Sequence, residues 1–173
     1  MPAKSTAESP FKVGSKVVYP SHGVAEIVRR EQRVFDGKKT SYLVLVVPQQ
    51  GWGTSGGMIL SVPEAGAADL GVRAAISSED AADVLEVLAV RDVRVPANWS
   101  RRFKNHQEKL KSGDVYQVAE VVRNLALRDA DKGLSAGEKS MFVKARQVLV
   151  SELAFALNIS EDTALDRLNK TLS

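Results

Sequence analysis

Cysteine is absent from the 173 residues, which excludes disulfides, a thiol nucleophile and any cysteine-based zinc site. Histidine is almost absent: His22 and His106 are the only two, far apart in the chain, and no metal-ligand cluster forms around either. His22 sits in a Pro20–Gly23 turn and reads as structural. Glycine is modest in number, and no glycine-rich phosphate loop appears; residues 51–57 carry glycines but lack the following lysine and helix. No apolar run reaches the roughly 20 residues of a membrane span. The first ten residues are polar, lack the apolar core of a signal peptide and read as a disordered tail. These absences leave no catalytic set, so the chain is expected not to be an enzyme and to need no cofactor or metal.

The patterning divides the chain near residues 64–76. Before it, short β-rich runs alternate with turn signals: Phe11 to Val18, Val24 to Val34, Ser41 to Val47 and Met58 to Val62. Asp36-Gly37 is a tight-hairpin signal, and residues 48–57, with Trp52, read as a long hairpin loop. Several strands so close together predict a small twisted sheet or partly closed barrel. After Gly71 the period becomes helical. Ser77 caps a helix whose inward side is Val84, Leu85, Val87 and Leu88. Asn98 caps a second. Asp114 caps a third, with the stripe Val115, Val118, Ala119, Val122 and Leu125. Ser135 and Glu138 form a capping box before a long helix ended by Asn158, and Ser160 opens a short last one through Leu165 and Leu168. The fold class is therefore α+β: a small β-rich unit over residues 11–66, then an all-α unit over 75–173, with 1–10 as the tail.

The second helix start is the most informative stretch. A helix N-terminus carries partial positive charge and disfavours bases, yet Asn98-Trp99-Ser100-Arg101-Arg102-Phe103-Lys104 places three of them in the first turns behind a tryptophan at the very tip. From Arg91 to Arg146 there are 13 Lys plus Arg against 7 Asp plus Glu, in a chain of net charge +3. Backbone N–H groups and cationic side chains then point the same way, as an anion site requires. Lys139, behind Lys132 and just inside the Ser135 helix, repeats the pattern. Trp99 has two readings. It shares a helical stripe with Phe103, His106 and Leu110, which suits a core residue. As the first helical residue among bases, it equally suits an aromatic wedge at nucleic acid.

These residues resemble the CarD/CdnL family of bacterial RNA polymerase-binding transcription regulators, nearest its actinobacterial branch. The resemblance is carried by Phe11-Lys12-Val13-Gly14, Val17-Val18-Tyr19-Pro20, His22-Gly23, Asn98-Trp99-Ser100-Arg101-Arg102, Ser112-Gly113-Asp114, Ala119-Glu120-Val121-Val122-Arg123 and Gly133-Leu134-Ser135-Ala136-Gly137-Glu138-Lys139. It runs in consistent order from Phe11 to Leu157. It implies a Tudor-like N-terminal domain on the β subunit of the σ-containing RNA polymerase holoenzyme. It also implies a helical C-terminal domain on promoter DNA at the upstream edge of the bubble, stabilising the open complex. By the same resemblance Trp99 is a minor-groove wedge, Arg101, Arg102, Lys104 and Lys139 are DNA contacts, and Arg33 is a polymerase contact. Ser61 occupies a polymerase-contacting position that is usually basic, and the loop before it is longer than usual. The expected state is a monomer, cytoplasmic and nucleoid-associated through polymerase, with no membrane partner. The alternatives are an interaction adaptor whose basic helices are only solvated, or a nonspecific DNA-binding protein that ignores polymerase.

Overall fold

The computed structural model describes residues 11–19, 22–47 and 57–173. The expected tail (1–10) and the loop with Trp52 (48–56) lie outside them. Five strands form one antiparallel sheet: β1 Lys16–Tyr19, β2 Gly23–Phe35, β3 Lys38–Val47, β4 Met58–Pro63 and β5 Arg73–Ala74, in the order β4-β3-β2-β1-β5. A 3₁₀ turn at Glu64–Gly66 follows β4. Five helices complete the chain: α1 Ser78–Ala89, α2 Trp99–Lys111, α3 Val115–Asp131, α4 Ala136–Leu157 and α5 Glu161–Leu172. The class is α+β, as the patterning implies. β5, a short edge strand paired with β1, falls inside the stretch read as a connector.

Local chemistry explains the elements. Asp36 and Gly37 both have positive φ (51° and 73°), the two-residue hairpin geometry that matches strand twist. Ser77, Asp114 and Ser160 each accept a backbone N–H as N-caps, and Ser135 and Glu138 form the reciprocal capping box. Asn158 closes α4 in the left-handed region at φ 52°.

The strand alternation needs one correction. Read straight through, β2 would keep Ala25, Ile27 and Arg29 on one side. The ladder instead slips between Ile27 and Arg29, so Val28 is an extra residue. Ile27 faces Leu45 in the core, whereas Arg29 pairs with Val44, which pairs with Ser61 on the opposite face. The bulge thereby turns the odd-numbered residues of β2 outward from Arg29 on.

Two hydrophobic clusters result. Phe11, Val17, Ala25, Ile27, Leu43, Leu45 and Val62 fill the sheet unit. Leu88, Val122, Leu125, Leu149, Leu153 and Leu168 centre the helical one. Each fully buried aliphatic side chain contributes about 1.5–3 kcal/mol relative to exposure. The seam between the clusters is polar and specific. Arg73 forks onto Glu152 at 2.7 and 2.8 Å and donates Nε–H to the Gly113 carbonyl. The Val24 N–H donates to Ser151 Oγ at 3.1 Å. Gly23 lies so close to α4 that a Cβ there would sit 2.9 Å from Ser151 Oγ.

Candidate nucleic-acid interface

Asn98 caps α2, its side chain accepting the Arg101 N–H at 3.0 Å. Trp99 then projects from the first helical position. Its indole stacks on Phe103, centroids 4.9 Å apart and rings 12° from parallel. Nε1–H donates to Ser135 Oγ at 3.1 Å. The residue nonetheless stays 46% exposed. One face of Trp99 is thus packed and the other is open. A stacked, hydrogen-bonded and half-exposed ring loses little rotamer freedom when it meets a partner.

Ser135 ties this tryptophan to α4. Its hydroxyl caps the Glu138 N–H at 3.2 Å and lies 3.1 Å from Glu138 Oε1. Glu138 is buried, and Oε2 accepts Arg102 Nε–H at 3.1 Å. Arg102 also donates to the carbonyls of Pro96 and Ala97, at 3.3 and 3.0 Å. Burial pushes the Glu138 carboxyl up, but hydrogen bonds from Arg102 and Ser135 outweigh it and hold the group below the usual carboxylate range. His106, one turn beyond Arg102, is also buried. Burial, then the charge of Lys109, depress its pKa to about 4, with Glu138 opposing and Arg102 adding to the fall. Its Nδ1 has no hydrogen-bond partner among the described residues.

The expectation that Arg102 contacts phosphate is therefore corrected. Arg102 is 2% exposed and its guanidinium is spent on Glu138 and two carbonyls. It is a structural clamp that fixes the α2 start against the α4 start. The charge pattern of α2 does not reveal this, because the partner that draws Arg102 inward, Glu138, lies far away in sequence.

Arg101, Lys104 and Lys139 behave differently. All three are exposed, and none has an ion pair or side-chain hydrogen bond among the described residues. Because Trp99 reaches Ser135, the two helix starts lie side by side, and Lys139 belongs to the same end of the bundle as Arg101.

Arg33 and Ser61 lie elsewhere, on the outer face of the sheet. The Arg33 guanidinium donates to Ser61 Oγ at 3.0 Å and to Glu31 at 2.9 Å, and rests 4.9 Å over the Tyr42 ring. Hydrogen bonds from Arg33, then Arg29, hold the Glu31 carboxyl below its usual range. Beside them Ile59 is 65% exposed on β4, the edge strand, and Phe35 is 77% exposed at the hairpin end. Sequence reasoning did not single out Ile59 or Phe35; the bulge that sets the outward face is not visible in composition.

Two family matches divide along the same seam. Residues 11–74 match the CarD-like/TRCF RID domain, and residues 83–169, half the chain, match the CarD C-terminal domain. A Bacillus subtilis (strain 168) protein named "Putative transcription factor YdeB" is 28% identical over 162 residues, covering 87% of this chain and 95% of that protein. The two family matches thus define a regulator of transcription. The chain belongs to the CarD/CdnL family.

Proposed function

We propose that the protein regulates transcription initiation by bridging RNA polymerase and promoter DNA. The sheet unit docks on the polymerase β subunit through its outer face, around Arg33, Ser61 and the free edge of β4. The helical unit presents Trp99 to the minor groove at the upstream edge of the promoter bubble, with Arg101, Lys104 and Lys139 on the flanking phosphates. The observation that carries this reading is the fixed, half-exposed Trp99 among cations that have no protein partner among the described residues. Such a site reads no bases; phosphate contacts position and a wedge senses deformability. The match of residues 11–74 to the CarD-like/TRCF RID domain supports the polymerase side. An exposed sheet edge beside apolar Ile59 supports docking by strand addition.

Two individually weak contacts on one assembly act together through effective concentration. A protein that meets the open state better than the closed one shifts the equilibrium toward open. The test is open-complex lifetime on a promoter with holoenzyme and wild type, Trp99→Ala or Arg33→Glu protein, alongside a polymerase pull-down. Trp99→Ala retains polymerase and shortens the lifetime; Arg33→Glu loses polymerase. Equal lifetimes with and without the indole, at matched occupancy, would defeat the proposal.

A further inference from the structure

A cleft of about 310 Å³ opens between α2, α3 and α4 and strands β1 and β5 of the sheet. Its walls are mainly apolar: Val18, Phe103, Leu110, Val118, Met141 and Val148. Its polar groups are one-sided. Arg73, Lys111 and Lys144 line it, with the neutral Gln107 and Ser140, and no aspartate or glutamate does among the described residues. Arg73 is neutralised by Glu152, but Lys111 and Lys144 are exposed and have no ion pair among the described residues. The cleft therefore offers an apolar body and an uncompensated positive mouth, in the size range of small-molecule sites.

We propose that this cleft binds a small amphipathic anion, with its apolar part against Phe103, Leu110 and Met141 and its carboxylate or phosphate at Lys111 and Lys144. The site is coupled to the tryptophan by direct contact. Phe103 is at once a wall of the cleft and the ring on which Trp99 stacks. Gly137, also in the wall, packs behind both rings: a Cβ there would lie 3.4 Å from Phe103 and 3.9 Å from Trp99. Occupancy fixes or shifts the Phe103 ring, and the Trp99 environment changes with it. The binding claim stands independently of the DNA reading.

The test uses the full chain carrying Trp52→Phe, so that Trp99 is the only indole, titrated with decanoate below its micelle concentration. Calorimetry reads stoichiometry and Kd, and fluorescence reads Trp99. The expected result is saturable one-to-one binding with a concerted change in Trp99 emission. Lys111→Glu with Lys144→Glu should weaken it at least about tenfold. Gln107→Phe, an exposed rim substitution that leaves the core untouched and adds no indole, should block it with an unchanged melting temperature. Absence of saturable binding overturns the proposal. So does decanol or decyltrimethylammonium binding as tightly as decanoate, or insensitivity to the double lysine reversal.

Discussion

The indole of Trp99 and the hydroxyl of Ser135 are joined by a 3.1 Å hydrogen bond that spans 36 positions in sequence and locks the start of α2 to the start of α4. Ser135 also caps α4, so one oxygen serves two helices. Ser135→Ala should cost about 1 kcal/mol through the lost cap. For a chain of this size that is a fall in Tm of about 2–4 °C. The indole also loses its anchor, so open-complex lifetime should fall further than Tm alone explains. A lifetime assay at matched folded fraction checks this; Ser135→Thr, which keeps the hydroxyl, should restore both.

Arg102 and Arg101 are neighbours with opposite roles. Removing Arg102 leaves the buried Glu138 charge without its chief partner, a loss of about 3–5 kcal/mol. Arg102→Met should therefore lower stability in urea unfolding strongly. Arg102→Met with Glu138→Leu should recover much of it, since a well-packed apolar pair often replaces a buried ion pair without loss.

Arg101→Ala, Lys104→Ala and Lys139→Ala should each change stability by less than about 0.5 kcal/mol, because these side chains are exposed and unpaired among the described residues. Each should instead reduce the slope of log K against log salt for DNA binding by about 0.9. A fluorescence-anisotropy titration over a salt series gives the slopes. A single alanine that lowers affinity without moving the slope would remove that residue from the phosphate contacts.

His106 makes stability depend on pH in mild acid. Its folded pKa, about 4, lies below the usual 6.5, so between those values the unfolded chain binds a proton that the folded chain refuses. Above pH 6.5 the group is neutral in both states and contributes nothing. Stability should fall as pH drops from about 6.5 toward 4. His106→Phe should flatten that part of the Tm-against-pH curve, read by circular dichroism.

Arg73 joins the sheet unit to the helices through Glu152, which is 1% exposed. Arg73→Ala strands that carboxylate and should lower Tm substantially. It should also loosen the seam, so limited proteolysis should cut residues 64–76 faster than in wild type. Arg73→Lys should rescue only part of the loss, since an ammonium cannot reproduce the two-oxygen fork.

Much of the fold was legible because it rests on local signals. Asp36-Gly37 sets one hairpin, five side-chain caps set helix starts, and the Val115 to Leu125 stripe marks a face that is buried throughout. Two features were not legible, and for the same reason. The extra residue at Val28 and the burial of Arg102 depend on partners distant in sequence: β3 in one case, Glu138 in the other. In the site, the oddity of bases at a helix N-terminus pointed to the right stretch but could not separate the buried base from the exposed ones. The half-open Trp99 follows from Ser135 and Phe103 holding opposite sides of it, which periodicity alone does not encode.

Helix α4 holds the α2 start through Ser135 and Glu138 at one end and the sheet through Ser151 and Glu152 at the other. Sixteen positions separate Ser135 from Ser151, about 24 Å along a helix axis. The helix is in effect a ruler with a phase. One residue inserted at its middle would advance the far end by about 1.5 Å and turn it by about 100°, putting one set of contacts out of register. Seven inserted residues would lengthen it by about 10 Å and nearly restore the phase. On the proposed reading, a lengthened protein of that kind would still fold and still hold polymerase, but would set its wedge several base pairs from the bubble edge.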